Sequence, residues 1–315
     1  MSPRINRVGT FEAKLSLCED QRLFSCVCHE LDGIITMVRM PVVAGQFYEG
    51  TEDLLQERLR NCFLGSLGPG RLPEGEPGSS RFLKAVIAPH AGYMYSGMPA
   101  AHSYLRIFED GIPDHIVLLG PNHTGVGARL AVCNDDWRTP LGVAQYDSAL
   151  GAAIVEEDKY ATIDCIAHSR EHSLEVQIPF LQYTLGAGVS FVPICVSDQS
   201  YAVCESVGLT IAKLAEEMDI LVIASSDFTH FESAESARKK DNQALEYLEF
   251  LDPEGFLSFV QSHRVSICGA GPIAAAMIFA KERGATKFSV LKHTTSGDIT
   301  KDNSSVEAYV SAAIS

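Results

Sequence analysis

No stretch of the 315 residues approaches the roughly 20 consecutive apolar positions that carry a helix across a bilayer. The longest apolar runs, such as Ile220 to Ala224 and Ile273 to Ala280, are far shorter, so no transmembrane helix is expected. Cations are scarce: 25 Lys and Arg stand against 40 Asp and Glu, a net charge of -15. Nucleic acid and anionic membrane surfaces both require clustered Lys and Arg, and neither is an expected partner. The nine cysteines contain no CxxC pair, Cys26 and Cys28 being their only close neighbours. That spacing excludes a secreted disulfide framework and a zinc ribbon, and places the chain in a reducing cytoplasm. A GxxxxGK[ST] phosphate loop and a GxSxG nucleophile elbow are also missing. Gly269-Ala-Gly-Pro-Ile-Ala274 meets the dinucleotide fingerprint only loosely, late in the chain and without the acidic residue that should follow. No nucleotide cofactor is expected.

What the chain does contain is an alternation of short Val- and Ile-rich runs with helical patterns, and no internal repeat. The apolar runs at 85–88, 115–119, 189–196 and 220–225 read as buried strands. Helical spacing marks 51–63, 98–108, 146–157, 202–218, 236–249, 253–261 and 272–282. Over 171–184 Leu174, Ile178 and Leu181 share a helical face, and Pro179 predicts a kink or break. The expectation is one α/β domain over 40–315, with a central, largely buried sheet flanked by helices. Residues 1–39 mix charges and cysteines without a period and lack the marks of a signal peptide. They read as a poorly ordered leader, or as an extension upstream of a true start at Met40.

The strand ends carry the chemistry. Ala85 to Ala88 is stopped by Pro89, which cannot donate to a sheet, and His90 follows directly; the run His115 to Leu119 ends the same way, in Gly120-Pro-Asn-His123. In open α/β sheets ligands bind beyond the carboxyl ends of strands, where both imidazoles are delivered. His172, the pair Asp227 and His230, and Cys268 complete the candidates. Cys268 precedes Gly269-Ala-Gly-Pro272, a helix start whose amides favour a thiolate. Asp227 and His230 are three residues apart and are expected on the first turn of a helix, fit for acid-base work or for support of a ligand. Neutral imidazole, carboxylate and thiolate are the common ligands of iron, zinc and copper.

With these residues assembled the chain resembles the Memo family. The likeness rests on Pro41-Val-Val-Ala-Gly-Gln-Phe-Tyr48, Ala88-Pro-His-Ala-Gly-Tyr93, Leu119-Gly-Pro-Asn-His123, Trp137-Arg-Thr-Pro-Leu-Gly142, Glu171-His-Ser-Leu-Glu-Val-Gln-Ile-Pro179, Ser225-Ser-Asp-Phe-Thr-His230 and Ile267-Cys-Gly269. The resemblance implies a fold similar to the class III extradiol ring-cleaving dioxygenases, whose two His and one Glu hold iron. In the Memo pattern those positions fall on His90, His123 and Cys268; a thiolate for the carboxylate softens the site, so ring cleavage does not simply transfer. The resemblance also implies a radical-SAM protein as a system partner.

The expected centre therefore has His90, His123 and Cys268 as ligands to iron or copper, with zinc ranked behind. His172 or His230 serves as general acid-base, Asp227 orients that base, and an unidentified small molecule or peptide is the substrate of an oxidation. Two other readings stand beside it. One is a metal-free module capturing a peptide or small anion in the same pocket; the other is thiol chemistry at Cys268 alone.

Overall fold

The structure is a computed structural model that describes residues 26–31 and 34–315, with side chains from residue 37 onward. The expected leader falls mostly outside the described residues. Among the described residues thirteen strands form one mixed sheet. In chain order they are β1 (Cys26–Leu31), β2 (Ile34–Arg39), β3 (Ala85–Ala88), β4 (His115–Pro121), β5 (Leu130–Val132), β6 (Asp136–Thr139), β7 (Gly142–Tyr146), β8 (Ala161–Ile163), β9 (Ser190–Val196), β10 (Ile220–Ser225), β11 (His230–Glu232), β12 (Phe288–Thr295) and β13 (Val306–Ile314).

At its centre β9, β4, β10 and β3 run parallel in that order, with β13 antiparallel to β3 at one side. Alternate residues of these strands feed two separate cores. Ala85, Ile87, Val117, Leu119, Val222 and Ala224 face one, and Val86, Ala88, Ile116, Leu118, Leu221 and Ile223 the other. A strand buried on both faces has no polar positions to alternate, which is why these runs are continuously apolar.

The first core is covered by α3 (Ser148–Glu157), α5 (Tyr201–Leu214), α6 (Ala234–Glu249), α7 (Pro253–Ser262) and α8 (Ala270–Glu282); the second by α1 (Glu52–Leu64), α2 (Met98–Asp110) and α4 (Ile178–Leu185). A short helix, α9 (Ser296–Thr300), joins β12 to β13. The expected α/β class holds. Helix α8 is buried along nearly its whole length, and its alanines let it lie close to the sheet and to α5.

Three local expectations change. The helix expected over 171–184 is a 3-10 turn at Glu175–Gln177 followed by α4, and Pro179 sits in the first turn of α4, where its missing N–H costs nothing. Asp227 and His230 do not share a helix: Asp227 lies in the loop after β10, and His230 begins β11. Cys133 and Cys165 form a disulfide, against the expectation of a chain without such links. They are 32 residues apart in sequence and meet because β5 and β8 pair in parallel, Val132 opposite Ile163.

Arg39, one residue before the expected start of the domain, lies on β2 opposite Trp137 of β6. It is 2% exposed and donates from Nε to His168 O at 2.8 Å, from Nη2 to Glu171 O at 2.8 Å, and from Nη1 to Glu175 Oε2 at 2.7 Å. Its guanidinium also stands over the Trp137 ring. Among the described residues no helix is long and apolar enough to cross a membrane.

Candidate metal centre

Adjacent parallel strands β4, β10 and β3 end on one edge of the sheet, so the residues just beyond them are neighbours without being near in sequence. His90 follows β3, His123 follows β4, and Asp227 follows β10. The turn after the 3-10 helix at Cys165–His168 brings up Glu171 and His172. Gly120 makes room for this turn: a Cβ there would come within 2.7 Å of Leu174 Cδ2 and 2.8 Å of Ser173 Oγ.

His90, His123 and His172 each offer a ring nitrogen within 4.8 Å of those of the other two. They line a cavity of about 400 Å³ together with Phe47, Tyr95, Asp227, His230 and Glu307. The His123 and His172 rings stack at 4.7 Å, with His90 edge-on to both. Cys268 reaches the group through its His90 corner, Sγ lying 3.2 Å from His90 Nε2.

The hydrogen bonds behind these rings fix which nitrogens face the cavity. The single hydroxyl proton of Ser225 goes to Ser173 O at 2.7 Å, while Gln177 Nε2 donates to Ser225 Oγ at 2.8 Å. Gln177 is held in that orientation because its amide also donates to Pro89 O and its Oε1 accepts from Tyr104. Ser225 Oγ has no proton left for His90 Nδ1, 2.9 Å away, so Nδ1 is the donor and Nε2 carries the lone pair. Burial, then the neighbouring His172 and His123, holds His90 well below its usual pKa and keeps it neutral.

Glu171 does the same for His123. Its Oε1 accepts from His123 Nδ1 at 2.9 Å and from the Ser173 amide at 2.8 Å, and its Oε2 accepts from the His123 amide at 2.5 Å. Burial pushes this carboxyl up, but the hydrogen bonds and charge of His123 and the two amides outweigh that and bring it down to about 2. An ionised carboxylate obliges His123 Nδ1 to carry a proton, so in the neutral ring Nε2 has the lone pair. His172 Nδ1 lies 3.5 Å from the same oxygen. Burial lowers the His172 pKa as well.

On the other side of the cavity, His230 Nδ1 donates to Ser266 O at 2.7 Å, its amide donates to Ser266 Oγ at 2.8 Å, and its Nε2 has the free lone pair when the ring is neutral. Asp227 is 3% exposed and accepts from the His90 amide at 2.8 Å. Burial raises its carboxyl to about 7, offset in part by that amide and by His230. The Cys268 thiol is pushed up by burial and then by Asp227, so it donates S–H to His90 Nε2.

The residues present fit a transition metal. Two ligands of one zinc-class ion, with bonds of about 2.3 Å to sulfur and about 2.0 Å to nitrogen, stand about 3.5 Å apart at a tetrahedral angle. Cys268 Sγ and His90 Nε2 are 3.2 Å apart and share a proton that a cation can replace. Every residue expected from sequence lies at or beside this cavity. Glu171, Ser225 and Gln177 were missed as supports. Glu171 adjoins His172 in the chain, a signal for a buried carboxylate-imidazole contact; nothing in the sequence ties Ser225 to His90, 135 residues away.

The model of the family described as Memo-like protein matches residues 39–313. A MEMO1 family protein of Methanopyrus kandleri is 45% identical over 276 residues, covering 87% of this chain and 97% of that protein. One from Sulfurisphaera tokodaii is 42% identical over 280 residues, covering 87% and 98%. One from Thermotoga maritima is 40% identical over 281 residues, covering 88% and 100%. Among solved structures, an uncharacterized protein from Escherichia coli K12 aligns with a TM-score of 0.46 at 15% identity, over 74% of this chain and all of that one.

Proposed function

Since the chain belongs to the Memo family, we propose that its activity resides in a mononuclear metal centre at this cavity, held by His90 Nε2, His123 Nε2 and Cys268 Sγ, and that it carries out an oxidation of a small molecule. The observation that supports this most is the commitment of both Nδ1 atoms, on His90 to Ser225 and on His123 to Glu171, which leaves two lone pairs aimed at one space. A core histidine needs no such arrangement; a ligand does. Two imidazoles and a thiolate suit iron or copper.

When bound, the metal supplies Lewis acidity and redox capacity to a substrate in the cavity. The chain's own groups do the rest. Ser225 and Glu171 hold the rings in one tautomer. His172 stands against both rings, with the Phe47 ring 4.9 Å from its own, placed to exchange a proton with a bound substrate. His230 Nε2 is a second proton acceptor across the cavity, and Asp227, near neutrality in its pKa, is a buried proton store beside it. Phe47 and Tyr95 supply apolar walls, and the cavity volume suits a molecule of one or two rings. A metal-free anion site fits less well, because Asp227 and Glu307 line the cavity and burial keeps His90 neutral.

Anaerobically purified protein should contain close to one equivalent of iron or copper, measured by elemental analysis. Single alanine variants of His90 and His123 should lose most of it. Comparing Cys268→Ser with His172→Ala decides the third ligand: the first should weaken binding and shift the absorption spectrum of the metal, the second should not. If the His90 and His123 variants bind metal as well as the parent does, the centre is elsewhere.

A further inference from the structure

A second group of metal-ligand atoms lies outside the histidine cavity, and nothing in the proposed activity uses it. Strands β5 and β8 end in register, Val132 opposite Ile163. The chain beyond them places Cys133, Asp135 and Cys165 with one ligand atom each within 4.8 Å of one another. Cys133 is buried, whereas Cys165 and Asp135 are half-buried. Asn134 Oδ1 lies 3.6 Å from Cys165 Sγ. The two sulfurs are joined as a disulfide.

We propose that this corner is a redox-gated site for a soft divalent cation of the zinc class: closed as a disulfide when oxidised, and open to the metal once reduced to two thiols. The reductant is a dithiol. Its thiolate attacks Sγ of Cys165, the less buried of the two residues; the Cys133–Cys165 bond breaks and Cys133 leaves as a thiolate. The second thiol of the reductant then breaks the mixed disulfide and releases Cys165. Two electrons pass to the protein, and the reductant departs as its own disulfide.

The reduced corner holds two sulfurs and a carboxylate at close range. Binding a divalent cation deprotonates both thiols and releases their two protons to solvent, and the cation offsets the repulsion between the two thiolates. Thiolate, thiolate and carboxylate form an acceptable zinc ligand set with a position left for water or for Asn134. Hard cations such as magnesium prefer oxygen and are poor occupants.

The position gives either closure a consequence. Cys165 opens the turn that runs through His168 to Glu171 and His172, and Asp164, just before it, accepts from the Ala128 amide on the loop that follows His123. A disulfide and a bound metal both pin that turn to β5. The reduced, metal-free form keeps only the hydrogen bonds from Asp164 N to Val132 O and from His168 Nε2 to Ala131 O.

The test uses the full-length chain carrying H90A and H123A, which removes the histidine centre, so that its outcome is independent of the proposed function. The protein is reduced with a dithiol, freed of reductant under anaerobic conditions and titrated with zinc against a chromogenic chelator. Reduction should add one equivalent of tight zinc binding over the oxidised sample, and Cys165→Ser should abolish it. Bound zinc should slow alkylation of Cys133 and Cys165, located by peptide mass spectrometry, relative to Cys204. Should C165S not fold, Asp135→Ala replaces it and should weaken the added site. Equal zinc binding before and after reduction, or added binding without protection of these two cysteines, overturns the proposal.

Discussion

Replacing Arg39 with methionine removes a charge that the fold cannot resolvate. Arg39 is 2% exposed and Glu175 0%, so the substitution strands a carboxylate that water does not reach. Breaking one side of a buried pair costs about 3–5 kcal/mol. Glu175 retains the Val42 and Val43 amides and the Tyr48 hydroxyl, which soften that cost, while His168 O and Glu171 O lose their donors and Trp137 its cation. We therefore expect about 3–5 kcal/mol of destabilisation. At about 2–4 °C per kcal/mol for a domain of this size, the melting midpoint should fall by about 6–20 °C. Differential scanning calorimetry reads this directly. Arg39→Lys keeps the charge but cannot span three acceptors from one point, and should fall between the two. A midpoint for Arg39→Met within about 2 °C of the parent would refute the reasoning, because it would mean that the two amides and the Tyr48 hydroxyl suffice to stabilise Glu175.

Ser225→Ala removes the acceptor of His90 Nδ1 and the donor to Ser173 O; metal affinity should fall about 10- to 100-fold, and nitrogen NMR of the metal-free protein should show His90 in mixed tautomers. Gly120→Ala drives a methyl group into Leu174 and Ser173 and should cost about 1–3 kcal/mol, measured by urea denaturation. Stability should also fall in acid through His168. Burial, only partly offset by its bond to Ala131 O, lowers that pKa from 6.5 to about 4, so between those values the unfolded chain binds the extra proton. This contribution is complete above pH 6.5, is lost as pH falls toward 4, and amounts to about 3 kcal/mol; His168→Asn should flatten that part of the urea midpoint curve against pH.

The strand ends were legible because their grammar is local. An apolar run, a breaker and a histidine occur together at Ala85 to His90 and at His115 to His123, and a buried parallel strand has no other way to be written. Pro179 was legible as an interruption but not as a helix start, since a proline fits both and the preceding turn decides. The pair Asp227 and His230 misled for the same reason: a spacing of three suits a helix, but β11 takes His230 into the pairing with Glu307.

Sequence by itself determined the α/β class, the two-faced burial of the central strands and the delivery of His90 and His123 to strand ends, because each depends on residues within a few positions along the chain. Tertiary structure alone decided how those residues are held. Glu171 behind His123, Ser225 behind His90, Arg39 on Glu175 and the junction of Cys133 with Cys165 join positions between 32 and 136 residues apart. Such pairs arise from which strands lie side by side and in what register, and neither strand carries a mark of its neighbour.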